Sequence, residues 1–215
     1  MGRSKQLKKC AYCGVDESDD IPFTGDHVIP KCLYPATHRD SNLIVIDACR
    51  PCNNGFSYDE VHFRNVLVLA GESNAPVREL WDRKIVRSFD RGDGPRRALE
   101  ALKYTTKVQL EGEDRRLIYP GEDERVVRIV RKIIRGLTHF HRVESAVDES
   151  RILVTIHDAP LLEDVQEPGD VSRSFPGVVR YLFRTTTDSK PVWILTFFDR
   201  LTFVGLVRRP LPTRM

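Results

Sequence analysis

Four cysteines fall into two pairs of identical spacing, Cys10-Ala11-Tyr12-Cys13 and Cys49-Arg50-Pro51-Cys52. A two-residue spacer lets both sulfurs of a pair reach adjacent corners of a tetrahedron, so two such pairs read as a four-thiolate structural zinc site. The segment from Cys13 to Cys49 is longer than a plain zinc ribbon needs, and it holds an acid beside a histidine, Asp26-His27, followed by Pro30. Asn42 also lies between the pairs, and Asn53 directly follows the last cysteine. Each of these residues has an ordinary explanation by itself. Asp26-His27 reads as a surface polar pair, Asn42 as a turn residue after Asp40-Ser41, and Asn53 as a cap or turn before Asn54-Gly55. The functional reading rests on their order inside one zinc-stapled unit.

Taken together, Asp26-His27-x-x-Pro30, Asn42 heading an apolar run, and Cys49-x-x-Cys52-Asn53 resemble the HNH endonuclease family in its zinc-stapled version. The resemblance covers the first third of the chain. It implies a ββα-metal fold that hydrolyses phosphodiester bonds of nucleic acid with one divalent ion. By position, Asp26 and Asn53 would be ligands of a catalytic Mg²⁺ (or Mn²⁺), His27 the general base, and Asn42 the residue holding the histidine-bearing loop. Phosphodiester chemistry suits these roles. In-line hydrolysis needs an activated water and a cation to offset charge on the phosphorane and the leaving oxygen. His27 titrates near neutrality, and the Asp26 carboxylate is the hard oxygen donor that Mg²⁺ prefers. Many relatives place a lysine three residues beyond the final asparagine; this chain has Phe56 there.

Composition adds less. The net charge of +3 is too small to argue for nucleic acid alone, and the positive excess lies beyond Ala75, outside the proposed catalytic unit. Two local basic groups are candidate phosphate contacts. One is the N-terminal arm Arg3, Lys5, Lys8 and Lys9; the other is a helical stripe of Arg128, Arg131, Lys132 and Arg135, with Arg125 beside it. The competing explanation for the stripe is a solvated amphipathic face. Cys32 reads as a small packed thiol, and His38 and His62 as solvated positions, not further ligands. Paired thiols without an apolar leader or a membrane-length apolar run predict a cytoplasmic protein stapled by zinc, with no membrane partner.

The elements that must position these residues can be read from periodicity. A strand over 23–31 carries Asp26 and His27, and a second over 42–46 follows a loop. A helix starts between Pro51 and Ser57 and runs to Gly71, with Ser57-Tyr58-Asp59-Glu60 as a capping box. After a break at 72–76, a helix with Val77, Leu80, Trp81, Ile85 and Phe89 on one face is expected. Next come a short helix over 96–104, a hairpin near 108–119, and a long helix over 122–140 with Val126, Ile129, Val130, Ile133, Ile134 and Leu137 as its apolar stripe. Strands follow at 152–156, 178–183, 192–198 and 201–207. The expected fold class is α+β, with a ββα-metal unit at 1–75 and an accessory α+β domain with a small antiparallel sheet at 76–215. Residues 132–137 and the pattern from Trp193 to Phe203 resemble the C-terminal region of some bacterial HNH proteins and imply no chemistry. The expected function is a metal-dependent endonuclease with structural Zn²⁺, acting on nucleic acid and foremost on DNA. The alternatives are a zinc-stabilised nucleic-acid-binding module without catalysis, and a zinc unit that only supports a protein-interaction domain.

Overall fold

The computed structural model describes residues 8–38, 42–71, 73–110, 113–118, 122–157, 170–186 and 190–209. The chain is α+β. Strands β1 (Phe23–His27) and β2 (Val45–Cys49) pair antiparallel, with Asp26 opposite Ile46 and His27 opposite Val45. β1 stops sooner than the apolar run suggests because Pro30 opens a 3₁₀ turn over Lys31–Leu33, in which the Leu33 amide donates to the Pro30 carbonyl at 3.0 Å. β2 begins later than expected and runs to Cys49, which becomes the N-cap of helix α1 (Arg50–Asn54), with Pro51 in its first turn. Sheet, thiols and helix are thereby joined without a loop.

Helix α2 (Ser57–Ala70) follows. The capping box does not form. Gly55 and Phe56 are already in the right-handed helical region, so Ser57 enters as the first helical residue, and Phe56 is the N-cap without a side-chain bond. Helices α3 (Ala75–Leu80) and α4 (Val86–Phe89) are joined by a π turn over Trp81–Ile85. The π turn shifts the helical register, so Val77, Leu80 and Ile85 are buried while Trp81 is partly exposed, against the expected face. Helix α5 (Gly94–Leu102) and the hairpin β3 (Thr105–Leu110) and β4 (Glu113–Ile118) complete this stretch.

Helix α6 (Glu124–Phe140) is the centre of the molecule. Asp123 caps it by accepting from the Arg125 amide at 3.0 Å, and its apolar stripe is fully buried. Two glycines set how closely it is gripped. A Cβ at Gly136 would lie 2.8 Å from a Val28 methyl, so α6 rests directly on the β1–β2 hairpin. A Cβ at Gly205 would lie 2.1 Å from Ile134 Cδ1, so the other side of α6 rests on strand β9. That strand belongs to a five-stranded antiparallel sheet with order β5-β9-β8-β7-β6, formed by β5 (Ile152–His157), β6 (Val171–Phe175), β7 (Val179–Thr185), β8 (Pro191–Phe197) and β9 (Leu201–Val207). β6 is not evident from the sequence, since Val-Ser-Arg-Ser-Phe offers only two apolar residues. One apolar core runs from Cys10 to Val207, across the break at 72–76. Among the described residues, no helix is long and apolar enough to cross a membrane.

Candidate metal centre and the Asp26 site

The two knuckles meet. The Sγ atoms of Cys10, Cys13, Cys49 and Cys52 all lie within 4.8 Å of one another, and this cluster could hold a metal ion such as zinc. A tetrahedral zinc thiolate with arms of about 2.3 Å separates its sulfurs by about 3.8 Å; Cys13 and Cys49 are 3.7 Å apart. The first knuckle turns on Gly14, whose φ of +74° suits glycine, with its amide donating to the Cys10 carbonyl at 3.0 Å. Burial opposes ionisation of Cys10, but the backbone of Cys13, Cys49 and Tyr12 and the Cys13 thiol outweigh it and bring its pKa down to about 7. Cys32 is no part of this cluster. Its thiol donates to the Glu60 carbonyl at 3.4 Å, and burial pushes its pKa up to about 11.

Beside the thiols, α1 is fastened to β1. Asn53 Nδ2 donates to Thr24 Oγ1 at 2.9 Å and to the Gly25 carbonyl at 3.4 Å. Thr24 and Asp26 share one face of the strand, while His27 faces the other way. Asn53 thus meets the strand at Thr24 and Gly25, directly before Asp26 and His27 in sequence. His27 is half-buried, and burial followed by the charge of Lys31 lowers its pKa, which keeps the ring neutral at neutral pH. The Asn42 carbonyl accepts from Arg173 of β6 at 2.5 Å, and the Val28 amide donates to the Ile44 carbonyl at 3.0 Å, extending the pairing beyond His27.

Asp26 is not exposed. It is 4% accessible, and both carboxylate oxygens are bonded. The Tyr12 hydroxyl, from between the first two cysteines, donates to Oδ2. Burial and then the Asp26 charge raise the Tyr12 pKa, so it stays a donor. The other partner is Lys132 of α6, with Nζ 3.1 Å from Oδ1 and 2.9 Å from Oδ2. The same ammonium donates to the His27 carbonyl at 2.9 Å and to Glu60 Oε1 at 2.8 Å. Its Nζ lies 5.8 Å from the centre of the Phe56 ring and 6.0 Å from that of Tyr12, at the edge of cation–π range.

The expectation that Lys132 belongs to an outward basic stripe is therefore corrected: its side chain is 0% exposed. The neighbouring arginines are also tied to the protein. Arg135 donates to the carbonyls of Val147 at 2.7 Å and Tyr12 at 2.5 Å, and Arg131 to that of Ile152 at 3.2 Å. Arg128 pairs with Asp59 and covers the Phe56 ring at 4.8 Å, while Arg125 bonds Asp59 at 2.8 Å and Glu100 at 3.2 Å. In the N-terminal arm, Lys8 pairs with Asp47 at 3.0 Å and Lys9 with Asp16 at 3.1 Å, both largely exposed; Arg3 and Lys5 lie outside the described residues. His62 is likewise not solvated. It is buried, with Nε2 2.5 Å from Asp123 Oδ2, and so ties α2 to the cap of α6.

Lys132 and Glu60 are the participants that sequence reasoning missed. A signal was available: Lys132 lies three residues after Ile129 and four before Gly136, and a glycine inside a long helix marks a face packed against a neighbour. Compared with family models, curated proteins and solved structures, the chain matches none of them.

Proposed function

We propose that the zinc-stapled unit is a metal-dependent endonuclease of the HNH kind, with DNA as its first substrate. The observation that supports this reading is the bonding of Asn53 to Thr24 and Gly25, the strand residues directly before Asp26 and His27, beside a four-thiol cluster. His27, kept neutral by burial, takes the proton of the water that attacks phosphorus. The Asp26 carboxylate and the Asn53 amide oxygen are hard donors of the kind Mg²⁺ takes, and would hold that ion. When bound, the ion offsets charge on the phosphorane and on the departing oxygen. Zinc at Cys10, Cys13, Cys49 and Cys52 would fix β2 and α1, and through Tyr12 the Asp26 side chain. At the position where many HNH nucleases have lysine, Phe56 is buried against Tyr12 with ring centres 5.7 Å apart, so that cation is not available to phosphate from there.

The ammonium of Lys132 on Asp26 favours a second reading, a nucleic-acid-binding module without catalysis. End-labelled duplex DNA, single-stranded DNA and RNA, incubated with the zinc-loaded protein and Mg²⁺ or EDTA, separate the two. Metal-dependent products that His27→Ala does not form support the nuclease. Salt-dependent gel shifts without products from any substrate leave the binding module.

A further inference from the structure

We propose that the Lys132 ammonium and a divalent ion compete for Asp26, so that α6 decides whether the ion site is open. This rests on the reading of Asp26 as an ion ligand. The polar contacts of the ammonium among the described residues are oxygens: Asp26 Oδ1 at 3.1 Å, Asp26 Oδ2 at 2.9 Å, the His27 carbonyl at 2.9 Å and Glu60 Oε1 at 2.8 Å. Two carboxylates and a carbonyl are what a hard divalent cation also seeks. A carboxylate offers about four lone-pair positions; Lys132 donates to Asp26 Oδ1 and lies in ion-pair contact with Oδ2, and Tyr12 donates to Oδ2. An ion arriving at Asp26 meets a unit positive charge already bonded to the same group, in surroundings too buried to screen it.

The exchange does not strand the lysine. Glu60 holds the same ammonium from a side chain that is 21% exposed, so a lysine released by Asp26 keeps a charged partner on the outward side of the site. Helix α6 also rests on the strand-pair core through Gly136, one turn from Lys132, which makes the position of the ammonium a property of how α6 seats on the hairpin. The distal part of the chain thereby acts on the ion site itself.

The test measures Mg²⁺ binding calorimetrically to the full-length, zinc-loaded protein and to Lys132→Met. The expected result is at least about tenfold tighter binding by the variant. Affinities that agree within about twofold, or no binding by either protein, would overturn the competition. Because Lys132→Met risks the fold, the wild type is also read directly, by acetylation of lysines followed by peptide mass spectrometry across a Mg²⁺ titration. Lys132 should be protected without Mg²⁺ and become labelled as Mg²⁺ binds; a Lys132 that stays protected throughout would overturn the proposal. Plasmid cutting, run in parallel, keeps the two claims apart. Cutting by the wild type with Lys132 protected sinks the competition alone. Tighter Mg²⁺ binding by Lys132→Met with no cutting by either protein sinks the nuclease reading alone.

Discussion

Replacing Lys132 by Met removes the cation that pairs with both Asp26 and Glu60 while keeping an unbranched apolar stem in the helix. Breaking a buried ion pair by deleting one partner costs about 3–5 kcal/mol, because the remaining charge is left uncompensated. Asp26 meets that condition, being 4% exposed with the Tyr12 hydroxyl as the one remaining side-chain partner among the described residues. For a chain of this size 1 kcal/mol shifts the melting temperature by about 2–4 °C, so a loss of about 6–20 °C is expected. Adding Asp26→Asn should recover part of it, since the amide oxygen can still accept from Tyr12 and no buried charge is then unmatched. Urea unfolding of the zinc-loaded single and double variants, followed by circular dichroism, gives the coupling directly. A coupling of at least about 1 kcal/mol is expected for groups in contact. If Lys132→Met lies within about 0.5 kcal/mol of wild type, as surface substitutions do, or if the two changes add, Lys132 is not the buried counter-ion and the reasoning fails.

Cys49→Ser removes a thiol at the junction of β2 and α1, and should release the bound zinc and expose the N-terminal segment to limited proteolysis; full zinc retention by elemental analysis would contradict the four-thiol centre. Gly136→Ala places a methyl 2.8 Å from one Val28 methyl and 3.0 Å from the other, an overpacking expected to cost about 1–3 kcal/mol in unfolding experiments; an unchanged midpoint would show that α6 does not seat on the hairpin this closely. Burial opposes the Asp123 charge, but His62 and the first amides of α6 outweigh it, so its pKa falls below the ordinary 3.8. The stabilisation is therefore present above pH 3.8 and lost as pH drops through the lowered value. Wild type should lose stability below that pH more steeply than Asp123→Asn, and parallel curves would count against the buried pair.

What could be read from the sequence was what repeats or is local. The spacing of Cys10, Cys13, Cys49 and Cys52 specified a cluster whose sulfurs do converge. The apolar period of 126–137 specified a core helix, and the β-branched and aromatic runs beyond 150 specified strands of an antiparallel sheet. Local grammar failed where a tertiary partner outcompeted it. Ser57 and Glu60 have the pattern of a capping box, but the chain enters α2 already wound, and the Glu60 carboxylate is drawn to Lys132, far along the sequence. Lys132 itself looks solvated in a helix rich in arginine, because nothing local records that Asp26 will lie opposite it. Asp26 and His27 were found as candidates by their neighbours in sequence; the burial of Asp26 depends on Tyr12 and α6, which only the fold brings together.

The most direct measurement of the central claim is incubation of the full-length, zinc-loaded protein with supercoiled plasmid in Mg²⁺, Mn²⁺ or EDTA, beside His27→Ala. Nicked or linear plasmid formed by the wild type with metal, absent with EDTA and absent with the variant, is the predicted result. Equal cutting by His27→Ala, or cutting that persists in EDTA, would contradict the assignment of His27 as the base of a metal-dependent nuclease.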